Sequence, residues 1–534
     1  MIKKFGRRRS WFWLLAVTAL GALAGVAGPA HALEVSTKDG RVAGVTVEGV
    51  SSFKGIPFAA PPVGELRWRP PAAPVPWSGV RDGASFGPSC PQMSAFVDDA
   101  TLAKFAGEGG VSEDCLTLNV WKPEPASSQP APVLVWIYGG AFIGGASSKP
   151  LYDGAELARH GVVVVSFNYR VGRLGFFAHP ALTKSAPPGE MLGNYGLMDQ
   201  LAALNWIQTN IAAFGGDPAN VTIFGQSAGG ASVNMLMLAP QARGLFAKAI
   251  SQSGFPRWGT RPIRAAENSA EDIGVEFASR EGIVDDTGEA AARLRALPLK
   301  DVMTSDPPVD IDRTAPEPII DGTFLPGNAP ALMAAGRVAP VPLMTGGTSC
   351  DASIFGDDTL DLFTFAEPKG QLFTSLYPGA QEDAVVAAMT DRIETEPVRF
   401  QARAHDASRQ PVWVYYYDYK HPGARRPGEC AGAPHGAEIR YVFGNLSVVA
   451  PVPGISYSAE GASDRRLSRQ MMAYWLAFAK TGNPNGPGRP RWPAFTRQDE
   501  RVMDFSPAGP MARSNLRTRQ LDWIASKLQG LSVW

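Results

Sequence analysis

The pattern of hydrophobic positions places a short buried strand directly before a helix near the middle of the chain. Positions 221–224 are the apolar, partly β-branched run Val-Thr-Ile-Phe, which is typical of a strand in a helix-covered parallel sheet. From Ala228 onward, the sequence AGGASVNMLMLA predicts a helix that packs on that sheet. The order of strand, glycine-rich turn and helix puts Ser227 at the point where the two elements meet.

Other apolar runs extend this pattern into a sheet. They predict strands over 116–121, 132–137, 161–167, 339–346 and 412–417. Positions 197–214 have apolar residues at helical spacing, and looser alternation over 42–55 predicts a hairpin. Charged helical stretches at 265–280 and 288–297 predict an inserted cap. The alternation of strands and helices predicts an α/β fold, with a mostly parallel central sheet covered by helices and with cap insertions.

The first 32 residues have the composition of a secretory signal peptide. Basic residues precede an apolar stretch over 11–26, and Ala-His-Ala at 30–32 is a small-x-small cleavage site. The paired arginines at 8 and 9 suit twin-arginine export as well as an ordinary basic start, so the two routes are not distinguished. We therefore expect an exported protein, periplasmic or secreted, that is cleaved after Ala32.

Residues 33–534 show no linker, internal repeat or low-complexity run, so they are expected to form a single domain. Basic and acidic residues are equal in number over the whole chain, and removal of the basic leader leaves the remainder slightly acidic. A nucleic-acid partner is therefore disfavoured. Beyond the leader no uninterrupted apolar stretch of roughly 18 residues occurs, so no membrane span is expected in the mature chain.

Ser227 lies in the pentapeptide Gly-Gln-Ser-Ala-Gly, with a glycine two positions away on either side. Such glycines permit a tight, strained turn, or elbow, that holds a serine hydroxyl above the edge of the sheet. The pentapeptide alone also suits an ordinary surface turn. The strand before it and the helix after it favour a catalytic nucleophile.

The strand over 132–137 ends in Tyr-Gly-Gly-Ala-Phe, which predicts a binding site for an oxyanion. A tetrahedral oxyanion needs backbone N–H groups that approach it without bulky side chains in the way. Gly140 and Ala141 offer two such groups, and Ala228 offers a third at the start of the helix that follows the serine. Because glycine-rich turns after strands are common, this prediction depends on the elbow at Ser227.

Three histidines follow Ser227, and in a fold of this type the chain order is nucleophile, acid, histidine. His405 lies in a polar helical stretch, and His421 directly follows a strand. His435 lies in Gly-Ala-Pro-His-Gly-Ala-Glu, where small residues and a proline predict a tight loop that exposes the ring. His435 is therefore the predicted general base.

Asp351 is the first carboxylate after the strand over 339–346 and its short loop. A carboxylate there would accept a hydrogen bond from Nδ1 of the histidine and stabilise the imidazolium. Asp357 and Asp358 follow closely and are the reserve candidates for the same role.

The four cysteines allow three pairings in an exported protein. The segment between Cys90 and Cys115 has few strongly periodic elements, and closing it would add about 3 kcal/mol by restricting the unfolded chain, so this pairing is preferred. Cys350 directly precedes the predicted acid, and Cys430 lies five residues before the predicted histidine. We hypothesise that these two form a second bond that ties the acid loop to the histidine loop. Two separate buried thiols are the alternative.

With these residues the chain resembles the type-B carboxylesterases, a family of the α/β-hydrolase fold that includes the cholinesterases. The resemblance covers roughly 53–492. Phe-Gly-Gly at 214–216 through Gly-Gln-Ser-Ala-Gly at 225–229 matches the long serine signature of the family, and Glu-Asp-Cys-Leu-Thr-Leu-Asn-Val at 113–120 matches its second signature. The resemblance implies that the catalytic triad is Ser227, Asp351 and His435. It implies that the oxyanion hole is formed by Gly140, Ala141 and Ala228, and that Cys90 and Cys115 form a disulfide. It also implies that Ser253 supports the acid and the histidine.

Three departures from the family pattern carry information. The family acid is usually Glu, whereas Asp351 is one methylene shorter, so its loop is expected to lie closer to His435. Cholinesterases have Glu before the nucleophile and a Trp in the first disulfide loop, whereas this chain has Gln226 and no Trp between Cys90 and Cys115. A cationic substrate would be held by that charge and that aromatic ring, so a choline ester is disfavoured.

The leading hypothesis is an exported serine carboxylic-ester hydrolase that acts on a small-molecule ester through an acyl-enzyme and needs no cofactor or metal. The contrary class is a non-catalytic adhesion or binding protein of the same fold. Members of that class lose the nucleophile, whereas Ser227 and His435 are both present. An amidase or a thioesterase is the alternative within the enzyme class, because the same triad serves several acyl groups.

Overall fold

The computed structural model describes residues 33–92, 107–125, 127–304, 316–354, 371–379, 381–421, 432–448 and 460–528. The predicted signal peptide, 1–32, lies outside these residues and stays a prediction. Over the described residues the chain builds one large mixed sheet flanked by helices. No helix among them is long and apolar enough to cross a membrane.

The sheet is built from strands that span most of the chain. The described strands are β1 Leu33–Ser36, β2 Arg41–Val47, β3 Val50–Pro57, β4 Val80–Asp82, β5 Thr117–Pro123, β6 Ala131–Ile137, β7 Val163–Phe167, β8 Gly216–Gln226, β9 Lys248–Gln252, β10 Arg261–Pro262, β11 Ile319–Ile320, β12 Leu343–Thr348, β13 Val412–Tyr417, β14 Val502–Ser506 and β15 Gly509–Arg513. Their order in the large sheet is β1-β2-β3-β5-β7-β6-β8-β9-β12-β13-β14-β15, with β4 beside β2, while β10 and β11 pair separately. From β7 to β14 all neighbours are parallel. The other neighbours in this order are antiparallel, and β4 pairs with β2 in parallel.

Helices connect and cover these strands. The described α-helices are Ala155–Arg159, Gly172–Gly175, Pro180–Ser185, Tyr195–Asn210, Ala228–Leu238, Ala270–Arg280, Gly288–Arg295, Leu299–Met303, Ala329–Ala334, Gln371–Leu376, Gln381–Thr390, Glu396–Ala407, Ile439–Phe443, Ala462–Thr481 and Thr518–Lys527. Short 3₁₀ turns occur at Gly64–Leu66, Pro150–Tyr152, Ile211–Phe214, Pro240–Ala242 and Asp351–Ile354, and a π-helical turn at Asp391–Thr395.

The central strands are apolar because helices cover both of their faces. Every residue of β7 is buried, and so are the last five residues of β6. Trp136 of β6 packs against the rings of Phe224 and Phe443, at centroid distances of 4.8 Å and 5.0 Å. Continuous apolar runs of this kind belong to parallel strands. The predicted fold class, a mostly parallel sheet covered by helices, is confirmed.

Two element boundaries differ from the sequence prediction for identifiable reasons. The strand predicted over 339–346 is β12, which begins only at Leu343, because Pro340 and Pro342 lack the N–H that a central strand needs. The helix predicted over 197–214 is Tyr195–Asn210 followed by a 3₁₀ turn, and it ends at Gly215, whose φ of 78° cannot continue a helix.

The parallel arrangement collects the predicted site residues at one edge of the sheet. Gly139 and Gly140 follow β6, Ser227 follows β8, Ser253 follows β9, and Asp351 follows the end of β12. Parallel strands present their carboxyl ends at the same edge, which is where open α/β sheets bind ligands. The topology therefore brings together segments that are far apart in sequence.

Candidate active site

Ser227 occupies a strained elbow between β8 and the helix Ala228–Leu238. Its φ is 60° and its ψ is −130°, a conformation that costs a residue with a side chain about 1–3 kcal/mol. Its own N–H donates to the carbonyl of Gln252 on the neighbouring strand, at 2.9 Å. This hydrogen bond to the sheet fixes the strained backbone of Ser227. The serine side chain therefore lies at the edge of the sheet, between the strand and the helix.

The glycines on either side of the elbow have a different role from the one expected. Neither has a positive φ. Instead, a Cβ added to Gly229 would lie 2.0 Å from the carbonyl oxygen of Ile137, and one added to Gly225 would lie 2.5 Å from the carbonyl of Gly229. These glycines therefore let the helix approach the sheet closely, while Ser227 itself adopts the left-handed backbone.

His435 and Asp351 form a short hydrogen bond. His435 Nδ1 lies 2.5 Å from Asp351 Oδ1, so the ring donates from Nδ1 and leaves a lone pair on Nε2. The other oxygen of the fully buried Asp351 accepts from Ser253 Oγ at 3.0 Å and from the backbone N–H of Thr348 at 2.7 Å. The carboxylate is thus fixed on three sides, and Ser253 contacts it as the resemblance implied.

The backbones of the acid and histidine loops also meet. The N–H of Cys350 donates to the carbonyl of Ala433 at 3.0 Å, and Cys350 pairs in register with Pro434. The N–H of His435 donates to Ser353 Oγ at 3.1 Å. This close contact explains how an acid one methylene shorter than Glu reaches the imidazole.

The second nitrogen of His435 contacts the residue before the serine. The side-chain amide of Gln226 donates from Nε2 to His435 Nε2 at 3.0 Å. The ring of Phe255 lies nearly parallel to the imidazole, with centroids 5.8 Å apart. His435 is therefore held by an acid, an amide and an aromatic ring, and its side chain retains 11% exposure towards the site.

The other two candidate histidines lie away from Ser227. His405, in the helix Glu396–Ala407, donates from Nε2 to the carbonyl of Val341 at 2.8 Å, and burial lowers its pKa to about 4. His421 is buried with its Nε2 3.7 Å from Asp464. The contacts of both histidines are therefore typical of structural residues. The reserve acids Asp357 and Asp358 lie outside the described residues.

The loop after β6 lies against the elbow. A Cβ added to Gly139 would lie 2.8 Å from Cβ of Ser227 and 3.4 Å from the backbone nitrogen of Ala228. Gly140 has a φ of 134° and Ala141 a φ of 52°, which turn this loop sharply. Within the described residues the N–H groups of Gly140, Ala141 and Ala228 donate to no backbone carbonyl, so they stay the candidate donors to an oxyanion.

Two buried glutamates, Glu394 and Glu438, lie near Asp351 and were not singled out from the sequence. Burial, together with the charge of Asp351, raises the pKa of Glu438 to about 7. The same two causes raise the pKa of Glu394 well above its usual range, although two backbone N–H groups oppose the shift. Glu438 follows His435 by three residues, which is a weak local signal, whereas nothing near Glu394 in the sequence points to the site.

The cysteines agree with the sequence prediction as far as they are described. Cys90 and Cys115 form a disulfide, with Cα atoms 5.0 Å apart. Cys350 is also disulfide-bonded, while its predicted partner Cys430 lies outside the described residues, so that pairing stays a prediction. Among the residues that the structure describes, no group of His, Cys, Asp and Glu is arranged to hold a metal ion.

Comparison with known proteins places this geometry in a family. The sequence model of the carboxylesterase family matches residues 31–375 and 374–524. Fumonisin B1 esterase of Sphingopyxis macrogoltabida is 37% identical over 93% of this chain and 90% of its own length. Para-nitrobenzyl esterase of Bacillus subtilis (strain 168) is 36% identical over 88% and 94%, and acetylcholinesterase of Bungarus fasciatus is 34% identical over 95% and 88%.

The solved structures agree with the sequence matches. A structure of PNB esterase superposes with a TM-score of 0.78 at 33% identity, covering 92% of this chain and 99% of that one. A thermophilic PNB esterase gives a TM-score of 0.77 at 32% identity, with the same coverage. The chain therefore belongs to the carboxylesterase family, and it is a carboxylesterase with the α/β-hydrolase fold.

Proposed function

We propose that Ser227, His435 and Asp351 are the catalytic triad of an exported serine carboxylesterase. The observation that carries the proposal is the 2.5 Å bond from His435 Nδ1 to Asp351 Oδ1, made by a histidine whose other nitrogen faces the elbow of a strained serine. A surface serine turn would not bring a buried acid and a histidine to the same place. Nucleophile, base and orienting acid are the parts that an acyl transfer requires.

The reaction follows from this arrangement. Asp351 keeps the imidazole proton on Nδ1, so Nε2 accepts the proton of Ser227 as Oγ forms a bond to the ester carbonyl carbon. The tetrahedral intermediate then expels the alcohol, which takes that proton from Nε2. Water next attacks the acyl-enzyme, giving its proton to Nε2, and the acid departs as the proton returns to Ser227.

The N–H groups of Gly140, Ala141 and Ala228 are proposed to bind the oxyanion. Negative charge develops on the former carbonyl oxygen only in the tetrahedral state, so donors fixed beside Ser227 stabilise the transition state more than the substrate. Two observations support this role. The loop at Gly139 contacts the elbow, and within the described residues the three N–H groups donate to no backbone carbonyl.

In the absence of substrate, the side chain of Gln226 contacts the nitrogen of His435 that is proposed to accept the serine proton. Nε2 of His435 has one lone pair, and the Gln226 amide occupies it at 3.0 Å. That amide must turn aside before Nε2 receives the proton of Ser227. The proposed substrate therefore completes the site by displacing the amide as it binds.

The proposed substrate is a small-molecule ester without a quaternary ammonium group, rather than a choline ester. The residue beside the nucleophile is the uncharged Gln226, and the segment between Cys90 and Cys115 contains no Trp to hold a quaternary ammonium. Two of the relatives are named as esterases for fumonisin B1 and for para-nitrobenzyl esters.

A hydrolysis panel tests this substrate class. Para-nitrobenzyl and para-nitrophenyl esters, fumonisin B1, acetylcholine and an acyl-CoA thioester are compared by kcat/KM. We expect at least one of the esters without a quaternary ammonium group to exceed acetylcholine by about a hundredfold or more. A preference for acetylcholine would overturn the choline argument, and a preference for the thioester would favour the thioesterase alternative.

Substitution of the nucleophile tests the proposed mechanism. Ser227→Ala should reduce hydrolysis of para-nitrophenyl acetate by about a thousandfold or more, because it removes the attacking oxygen and little packing. A fluorophosphonate probe should label Ser227 in the wild type and leave the variant unlabelled, as read by peptide mass spectrometry. Residual turnover above about a thousandth, with an unchanged melting temperature, would contradict the assigned role.

Export is part of the same proposal. The Cys90–Cys115 disulfide suits an oxidising compartment, and the first 32 residues have signal-peptide composition. The mature protein recovered from the periplasm or the medium should therefore begin at Leu33. A protein retained in the cytoplasm with its first 32 residues intact would count against export.

A further inference from the structure

Glu394 is a buried carboxylate close to the triad that has no part in the chemistry proposed above. The residue is only 1% exposed and belongs to the π-helical turn Asp391–Thr395, which directly precedes the helix Glu396–Ala407. Such turns are rare in proteins and are frequent at functional sites. A buried glutamate in this position requires a physical account.

Both oxygens of Glu394 bind one tight turn of the backbone. Oε1 accepts from the N–H of Gly254 at 3.1 Å, and Oε2 accepts from the N–H of Phe255 at 2.9 Å. Consecutive N–H groups that point to the same side form a concave site for an anion. The carboxyl group of Glu394 occupies that concave site, and each of its oxygens accepts from one of the two N–H groups.

The turn that Glu394 holds is strained. Ser253 has a φ of 44° and Phe255 a φ of 45°, and each left-handed residue with a side chain costs about 1–3 kcal/mol. Gly254 between them has no room for a side chain, since an added Cβ would lie 2.2 Å from Ser251 Oγ. Strain of this kind persists only where neighbouring groups fix the backbone, and the two bonds to Glu394 do so.

Both ends of this turn contact the proposed triad. At one end Ser253 Oγ donates to Asp351 Oδ2, and at the other the ring of Phe255 covers the imidazole of His435. The two carboxylates also lie side by side over Gly347 of β12. A Cβ added there would lie 2.5 Å from both Asp351 Oδ2 and Glu394 Cγ.

We propose that Glu394 is a positioning residue of the triad: by holding the turn over 253–255, it sets the Ser253 hydroxyl on Asp351 and the Phe255 ring on His435. This inference rests on the proposed triad. It identifies a support for the acid and the base that lies 140 residues from the turn it holds.

The test compares two isosteric substitutions in the same helical segment. Glu394→Gln keeps one oxygen acceptor but sets an amide N–H against the second backbone N–H. Asp391→Asn is the matched control, because Asp391 is equally buried but bonds to Arg517 and to the hydroxyl of Tyr377. Active sites are counted in each variant by fluorophosphonate labelling of Ser227 after a long incubation.

The expected result is a fall in kcat without a matching change in KM. Small displacements of catalytic groups cost up to about a hundredfold in rate, so Glu394→Gln should lower kcat per labelled site by about tenfold to a hundredfold, with KM within about threefold of wild type. Asp391→Asn should lower the melting temperature and leave kcat per site unchanged. Equal losses of kcat in both variants would show general loosening of the segment and would overturn the proposal.

A double-mutant cycle tests the route through Ser253. If Glu394 acts through the turn, then Glu394→Gln should cost clearly less in a Ser253→Ala background than in the wild type. Fully additive losses would overturn the link. Should Glu394→Gln yield no folded enzyme, Ser253→Ala alone carries the test, and a wild-type kcat there would sink the idea. Labelling of Ser227 in the wild type tests the proposed nucleophile independently of Glu394. A failure of the proposed triad is therefore distinguished from a failure of the positioning role.

Discussion

Gly140 is the residue where a single side chain has the clearest predicted effect on catalysis. An added Cβ would lie 2.2 Å from the carbonyl oxygen of Gly144, whose N–H closes the same turn onto the Gly140 carbonyl. Gly140→Val should therefore displace the proposed oxyanion donors and lower kcat by about a hundredfold or more. Steady-state kinetics with para-nitrophenyl acetate measures this. An effect confined to KM would place Gly140 outside the oxyanion hole.

The second prediction at the scale of residues concerns Gln226. Gln226→Glu would place a carboxylate where the amide now faces His435 Nε2, and a negative charge favours the protonated imidazole, which cannot accept a proton from Ser227. The acid limb of the kcat/KM profile should therefore move to higher pH by about one pH unit.

Gln226→Leu is the control for that experiment, because it removes the amide without adding a charge. Its acid limb should move clearly less than that of the glutamate variant, because only the hydrogen bond is lost. The profiles are measured between pH 5 and 9 at constant ionic strength. If the leucine variant shifted the limb as far as the glutamate variant, the charge would not be the cause.

At the scale of elements, the loop after β12 and the loop that carries His435 behave as one unit. Cys350 donates its N–H to Ala433, and Ala433 donates its own N–H to Ser349 Oγ at 2.8 Å. Two loops joined in this way hold Asp351 against His435. The contact explains why a shorter acid is tolerated here.

The predicted Cys350–Cys430 bond belongs to these loops. Peptide mapping of the non-reduced exported protein should recover this cross-link together with the Cys90–Cys115 cross-link, which serves as the internal control. Mild reduction should lower activity before the melting transition, because the cross-link constrains the two loops rather than the sheet. Free thiols at both positions in a sample that retains the Cys90–Cys115 cross-link would contradict the pairing.

Apolar patterning predicted the elements better than their ends. Positions 412–417 coincide with β13 because all six side chains are apolar or aromatic and no proline interrupts them. The start of β12 was misplaced because prolines are apolar by composition but cannot donate to the sheet. The roles of Gly225 and Gly229 were also misjudged, since a close approach between helix and sheet is a property of two elements and not of the turn alone.

At the scale of the whole molecule, buried carboxylates make stability depend on pH. Burial raises the pKa of Glu438 to about 7, above the value of about 4.3 in an unfolded chain. Between these two pKa values the folded protein binds more protons than the unfolded chain. Glu438 therefore contributes favourably to the free energy of unfolding at low pH, and this contribution is lost as the pH rises towards 7. The raised pKa of Glu394 acts in the same direction.

Glu438→Gln should accordingly flatten the decline of the free energy of unfolding between pH 5 and 8. Urea unfolding at several pH values measures the slope for wild type and variant. Glu267→Gln, at an exposed position, is the matched control and should run parallel to wild type. Parallel curves for all three proteins would show that Glu438 is ionised in the folded state throughout.

The sequence indicated candidate site residues only where they are marked locally. Ser227 and His435 lie in loops that contain glycine, and Asp351 is the first carboxylate after a predicted strand. Glu394 carries no such mark, because what defines it is a pair of bonds to N–H groups 140 and 139 positions away. Contacts of that range depend on how β9 and the segment after Gln381–Thr390 pack, which no local pattern encodes.

The bond between Gln226 and His435 joins residues separated by 209 positions. During synthesis Ser227 therefore emerges long before His435, its proposed general base. A growing or truncated chain that ends before His435 should be inert towards esters, however well its first strands have folded. Esterase activity should therefore appear only when the chain is nearly complete. Its appearance offers a simple readout for following translation and refolding.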